Sequence, residues 1–181
     1  MPSFKFLNSY ECEFNGEIFL IPFTSQFTMQ NSSEIDYKGK KVNRFYTYDR
    51  KGTHILRFTF VSTNSVNEQG ITFHLDSFKG EMYINDEKVK IRKSKFPQLI
   101  FDEKNTPTQF EVKVILENGD ITICNGCSVP RCPDIWRSLS EGCAMIIEKL
   151  GEDSFRFNCN DMENDDDFDD LIFDMEILNV D

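Results

Sequence analysis

The sequence predicts an all-β protein, an antiparallel β-sandwich of jelly-roll type with about ten or more strands. Three observations predict it. Apolar and polar residues alternate with period two along most of the chain, and a sustained period of 3.6 is nearly absent. The apolar positions are rich in Phe, Ile and Val, the residues that suit a pleated surface. Short runs of this kind are separated by Gly, Asn and Asp turn signals, the spacing of sandwiches and barrels.

Taken in order, the first expected unit is a hairpin joining Tyr10-Glu11-Cys12-Glu13-Phe14 to Ile18-Phe19-Leu20-Ile21 through Asn15-Gly16-Glu17. A three-residue loop with Gly in the left-handed region pairs Phe14 with Ile18 and Cys12 with Leu20. Strands follow at 45–48, 55–61 and 71–75. A second hairpin runs from Gly80–Ile84 to Val89–Ile91 around residues 85–88, with Met82 and Ile84 on the face of Val89 and Ile91. After a strand at 99–101, Phe110 to Glu117 and Asp120 to Ile123 form a hairpin on the Asn118-Gly119 pair, whose residues take the positive φ angles of a type I′ turn. That turn sets Leu116 opposite Ile121 and Val114 opposite Ile123. One or two helical turns are expected near Asp134 to Leu139. Cys143 to Leu150 and Phe155 to Cys159 pair around Gly151-Glu152-Asp153, and a terminal strand runs from Leu171 to Leu178. Residues 30–39, 62–70 and 127–133 read as loops. Strands of the same character resume after each, so residues 1–181 are expected to form one domain.

Charge is distributed unevenly. Residues 151–181 hold 12 of the 31 acids and one base, Arg156, whereas the first 150 residues hold 19 of each. The whole net charge of -11 therefore sits in the last sixth of the chain. Such a balance argues against nucleic acid as a partner. No run approaches the apolar length of a membrane span, and Met1-Pro2-Ser3-Phe4-Lys5-Phe6 lacks the features of an export signal, so the cytoplasm is the expected compartment.

The acids are concentrated between Asn160 and Asp170, before a strand whose Leu171, Phe173, Met175 and Ile177 share one face. They are thus anchored at a sheet end. Carboxylates held that close repel one another unless a cation lies between them, and a hard cation such as Ca²⁺ takes six to eight oxygens. Asp161, Asp165, Asp167, Asp169 and Asp170, with Asn160 as a neutral donor, are the expected ligands. Alternate residues of an extended segment point the same way, which would bring Asp165, Asp167 and Asp169 together. An EF-hand does not fit, because Asp166 stands where Gly is needed and Ile172 where Glu is needed. The other reading of the segment is a solvated acidic face.

Asp165-Asp166-Asp167-Phe168-Asp169-Asp170-Leu171-Ile172-Phe173 resembles the Asp-x-Asp-Phe/Tyr-Asn/Asp-Asp-Leu-Val/Ile-Phe segment near the end of certain bacterial surface and secreted β-sandwich domains. The resemblance implies calcium binding and an association with carbohydrate or adhesion. Those domains commonly carry Asn where Asp169 stands, are Gly-rich upstream and are exported. More loosely, the strand count and a terminal strand after an acidic loop are similar to jelly-roll, lectin-like carbohydrate-binding modules. A sugar-binding surface wants exposed aromatic rings, and the candidates are Trp136, Tyr37, Tyr46 and Tyr48.

Of the six cysteines, Cys124, Cys127, Cys132 and Cys143 have a spacing that admits a four-thiolate zinc site, but a second paired motif is missing and free thiols are expected. Two histidines, His54 and His74, fall in different strands. No phosphate loop, nucleophile elbow or metalloprotease motif is present. The expected function is a non-catalytic binding module, calcium-dependent, for carbohydrate or a partner surface. An intracellular protein-interaction domain with a merely charged face is the alternative, and a polysaccharide hydrolase using paired carboxylates stands behind both.

Overall fold

The computed structural model describes residues 4–91, 96–132, 135–139, 142–163 and 165–180. Among them are seventeen strands and one helix. The strands are β1 (Phe4–Phe6), β2 (Glu11–Phe14), β3 (Glu17–Leu20), β4 (Glu34–Tyr37), β5 (Lys40–Asn43), β6 (Tyr46–Tyr48), β7 (Gly52–Thr63), β8 (Glu68–His74), β9 (Lys79–Ile84), β10 (Glu87–Lys88), β11 (Gln98–Asp102), β12 (Gln109–Asn118), β13 (Ile121–Ser128), β14 (Trp136–Ser138), β15 (Ala144–Lys149), β16 (Ser154–Asn160) and β17 (Leu171–Asn179). Helix α1 (Phe23–Gln30) lies between β3 and β4.

Two antiparallel sheets form the sandwich. One has nine strands in the order β10-β9-β12-β7-β17-β16-β15-β5-β4, and the other has five, β11-β8-β13-β14 with β6 also on β13. Alternating inward residues of both sheets make one core. Leu56, Phe58, Val112, Val114, Phe157 and Phe173 from the larger sheet meet Ile71, Phe73, Ile121 and Ile123 from the smaller. Rings inside it stack closely, with Phe157 and Phe173 at 4.5 Å and Phe101 and Phe110 at 4.7 Å. The four inward residues of β17 are buried as their period-two spacing requires, and β17 sits between β16 and β7.

The Asn118-Gly119 turn corrects the expected hairpin. β12 pairs with β7 and β9, whereas β13 pairs with β8, β6 and β14, so the turn carries the chain from one sheet to the other. Val114, Leu116, Ile121 and Ile123 still share one interior, but they face each other across the sandwich and are not cross-strand partners. The physical reason lies in the neighbouring β8–β9 connection, which crosses at the same corner. Ser77 Oγ donates to Asp120 Oδ1 at 2.7 Å and accepts from Asp120 N at 3.2 Å. Gly119, at φ 75°, lies so close to the Ser77 carbonyl that a Cβ there would approach its oxygen to 1.8 Å. This close approach ties two crossovers together, which a hairpin would not allow.

Other turns are tighter than the spacing suggests. Asn15 and Gly16 both have positive φ, giving a two-residue turn that pairs Phe14 with Glu17 and Cys12 with Phe19, one residue away from the expected register. Asn85 and Asp86 close β9 onto β10 in the same way. Residues 34–43, expected to lie mostly in a loop, form a hairpin on Lys38-Gly39 that buries Ile35, Tyr37 and Val42. The β15–β16 hairpin stands as expected.

Helix α1 was not expected. Phe23, Gln26 and Phe27 are buried at i, i+3 and i+4, Pro22 precedes the first turn, and Asn31 at φ 48° ends it with its N–H toward Phe27 and Thr28. The expected helix near residues 134–139 is corrected: Trp136–Ser138 is a strand, because β13 offers its ladder there, while residues 133 and 134 lie outside the described residues. Phe23 and Phe27 join Ile35, Tyr37, Val42, Ala144 and Phe168 in a second, smaller core at the β4 edge.

Candidate metal centre

The connection between β16 and β17 is built from the inside outward. Asn160, fully buried at the end of β16, donates through Nδ2 to the carbonyls of Gly142, Asp161 and Glu163 at 3.1, 3.3 and 2.9 Å. Asp161 is also fully buried. Its Oδ2 accepts from Ser65 Oγ at 2.6 Å, Asn67 Nδ2 at 3.0 Å and Gln69 Nε2 at 2.9 Å, and its Oδ1 accepts from Glu163 N at 2.7 Å. Four donors on one carboxylate satisfy it without any cation. Asp161, expected as a metal ligand, thereby fastens the loop to the β7–β8 connection and to β8, while Asn160, also expected as a ligand, ties it to Gly142 before β15 and keeps its Oδ1 buried without a hydrogen-bond partner.

Beyond them the backbone is not extended. Asp166 and Phe168 take left-handed conformations, φ 55° and 60°. Phe168 turns into the second core, 5.4 Å from the Phe23 ring. Asp166 is held by Tyr37 and by Lys38, whose Nζ donates at 2.7 Å. Burial by itself would raise the Asp166 carboxyl, but the hydrogen bonds from Lys38 and Tyr37 hold it below the usual carboxylate range. The two left-handed residues break the alternation that would have aligned Asp165, Asp167 and Asp169. Asp169 is drawn off to Asn64, whose Nδ2 donates to both its oxygens at 3.2 and 3.1 Å. Asp170 takes its place.

The outcome is a cluster of three. One carboxylate oxygen from each of Asp165, Asp167 and Asp170 lies within 4.8 Å of the others, a group that can hold a metal ion. Asp165 and Asp167 are exposed and Asp170 is buried, so the group opens to solvent on one side. Asp170 Oδ2 accepts from Asp161 N at 2.8 Å, which fixes the floor of the cluster to the buried hub. Burial pushes the Asp170 carboxyl up to about 7, helped by the negative charges of Asp161, Asp165 and Asp167 and opposed by the Asp161 N–H. Asp167 is raised as well, by burial and then by its acidic neighbours.

A stability prediction follows for the metal-free protein. The folded state keeps the Asp170 proton up to about pH 7, while the unfolded chain releases it near its ordinary value of 3.8. Stability must therefore fall as pH rises through that window, by on the order of 3 kcal/mol between pH 4 and pH 8. Asp170→Asn should remove most of this slope and raise the melting temperature at pH 8, measured in a chelator. An unchanged slope would show that Asp170 titrates normally.

Other candidate side chains do not converge here. Tyr37 and Tyr48 are 3% and 1% exposed, so their rings are core and offer no face to a sugar. Tyr46 packs half-buried on Phe155 and Phe157, and the half-buried Trp136 ring lies against Gly70 at the far side of the smaller sheet. The four aromatic residues form no common platform. Cys12, Cys124, Cys127, Cys132 and Cys159 are free thiols; Cys124, Cys127 and Cys143 are buried, and burial pushes the Cys124 thiol up to about 12. Among the described residues, Cys124, Cys127, Cys132 and Cys143 are not gathered into a ligand group. His54 shares a 2.8 Å hydrogen bond with Tyr48 Oη, and His74 one of 2.9 Å with Ser138 Oγ, so the two have separate partners.

Sequence reasoning passed over Asp166 and its partner Lys38, gave Tyr37 a sugar-stacking role in place of its bond to Asp166, and passed over Ser65, Asn67 and Gln69. The polar residues Asn64, Ser65, Asn67, Glu68 and Gln69, interrupted by Val66 and richer in amides than a loop of that length needs, were the available signal. No family model and no curated protein matches the chain.

Proposed function

We propose that this protein is a non-catalytic binding module whose β16–β17 loop takes Ca²⁺ and, once loaded, presents a fixed surface to a partner. The observation that carries the reading is the convergence of Asp165, Asp167 and Asp170 on a loop fastened at both ends. An all-oxygen, all-carboxylate group open on one side favours a hard ion that also keeps waters, and its width suits calcium better than the tighter magnesium octahedron. With Tyr37 and Tyr48 inside the cores and Tyr46 and Trp136 half-buried, a protein surface is a better supported partner than a carbohydrate.

Calcium that binds only the folded state should raise stability by about 2.7 kcal/mol at a hundred times its dissociation constant. Magnesium should do less. Asp165→Asn with Asp167→Asn should abolish the calcium effect while leaving the metal-free protein no less stable, because repulsion is relieved. Calorimetric titration and melting curves with and without chelator read both. A parent melting curve unmoved by millimolar Ca²⁺ would reduce the loop to a charged face, and the protein to an interaction domain without a metal.

A further inference from the structure

Asparagine is followed by glycine three times, at Asn15-Gly16, Asn118-Gly119 and Asn125-Gly126. Glycine has no Cβ to shield its peptide nitrogen, so that nitrogen can reach the side-chain amide carbon of the residue before it. The fold treats the three pairs differently. Asn125 has no exposed surface and lies in the middle of β13; its Nδ2 donates to the Asn160 carbonyl at 2.8 Å, and Gly126 stands between Gly70 and Ser138 in the ladder. That pair is closed to water and held on both sides. Asn15 and Gly16 form an exposed turn, and residues 11–20 of its hairpin contain no base.

Asn118-Gly119 has an activating group beside it. Asn118 is exposed at the end of β12, and the Gly119 N–H donates to Asn118 Oδ1 at 2.8 Å, which lays the peptide nitrogen against the side-chain amide. A small rotation of that side chain turns its carbon toward the nitrogen. Lys51 Nζ lies 3.5 Å from the same Oδ1 and donates to the Gly119 carbonyl at 3.0 Å. Its positive charge draws electrons from the amide carbon and stabilises the oxygen anion that forms on attack. It also favours loss of the Gly119 N proton, because an opposite charge nearby stabilises the ionised form.

We propose that Asn118-Gly119 is a self-modifying site, converting to aspartate and isoaspartate faster than either other pair. A solvent base takes the Gly119 N proton, the nitrogen attacks Asn118 Cγ, and the new N–Cγ bond closes a cyclic imide. The side-chain nitrogen takes the proton back and leaves as ammonia. Water then opens the ring at one of its two carbonyls. Breaking the N–Cγ bond leaves aspartate; breaking the bond from the nitrogen to the Asn118 main-chain carbonyl leaves isoaspartate, with the chain running through the side-chain carbon. Either product carries a carboxylate, and Lys51 is placed to pair with it. Isoaspartate also lengthens the main chain at the corner between the two sheets, where Gly119 is already packed against the Ser77 carbonyl, and this loosens the corner. The carboxylate cluster takes no part.

Protein aged at mildly alkaline pH in heavy-oxygen water, digested and read by mass spectrometry, tests the site. The peptide holding Asn118 should exchange NH for one heavy oxygen faster than the peptide holding Asn15, and Asn125 should stay intact. Lys51→Ala should slow conversion at residue 118 several-fold and leave the Asn15 rate alone, while Lys51→Arg, which keeps the charge, should retain most of it; melting curves confirm that both variants are folded. Aged parent should melt earlier than fresh protein, and Asn118→Ser aged beside it, which cannot form the imide, should not. A residue-118 rate no higher than that of Asn15, a rate untouched by Lys51→Ala, or the same loss of melting temperature in Asn118→Ser overturns the proposal.

Discussion

Asp161→Ala is expected to lower the stability of the fold by about 4 kcal/mol or more, although the residue is a lone acid in a strongly acidic stretch. The carboxylate is buried and takes hydrogen bonds from Ser65, Asn67, Gln69 and the Glu163 backbone. Removing it leaves four buried or half-buried donors without an acceptor, and each such group costs about 1–3 kcal/mol when water cannot replace the partner. For a chain of this size the melting temperature should drop by roughly 10 °C. Asp161→Asn keeps the shape but turns an amide N–H₂ toward other donors, so it should recover only part of the loss. The comparison also separates two roles. If Asp161 were chiefly a metal ligand, substitution would cost little in a chelator and would show only in calcium; the hub predicts the full loss in both. Chemical denaturation in the two conditions decides between them, and a loss below about 1 kcal/mol in chelator would refute the hub.

The second large effect is expected at Val114→Asp. Val114 has no exposed surface, lies between His54 of β7 and Met82 of β9 in the ladder, and belongs to the main core. A carboxyl group there has no partner, whether ionised or protonated, and the cost should be on the order of 4–5 kcal/mol. Val114→Ala should cost about 2 kcal/mol through the cavity alone. Lys113→Asp, one residue away on the half-buried face, should change stability by less than about 1 kcal/mol. Urea titration of the three variants tests the face assignment, and equal losses at residues 113 and 114 would contradict it.

The same strand shows where sequence reasoning succeeds and where it stops. Alternation in β12, in β17 and at the start of β13 identifies the buried face correctly, because period two is a local property of each strand, whereas β13 from Ile123 to Ser128 is buried on both faces. Which strand lies beside which is not local. Asn118-Gly119 signals backbone that accepts positive φ, but its use as a corner depends on Ser77, which comes to the same place from another crossover. Helix α1 escaped notice because eight uncharged residues with a single Phe23–Phe27 stripe carry no end signals beyond Pro22 and Asn31. In the acidic loop, the composition pointed to a carboxylate cluster at a sheet end. The membership of that cluster is set by the left-handed turns at Asp166 and Phe168, and those turns are held by Tyr37, Lys38 and Phe23, well over a hundred residues away. No window on the sequence spans such a constraint.

The place of β17 in the larger sheet has a consequence for how the molecule assembles. On one side of it stand β10, β9, β12 and β7, on the other β16, β15, β5 and β4, and among the described residues no other strand joins the two groups. Until residues 171–179 insert, β7 and β16 each present an unpaired backbone edge flanked by apolar side chains, the kind of template on which chains pair wrongly with one another. Its contacts with β7 also close a loop of more than a hundred residues, from Thr63 to Leu171, which is slow to form. The larger sheet is therefore continuous only once residues 171–179 are in place, so its complete pairing requires a segment made after all its other strands.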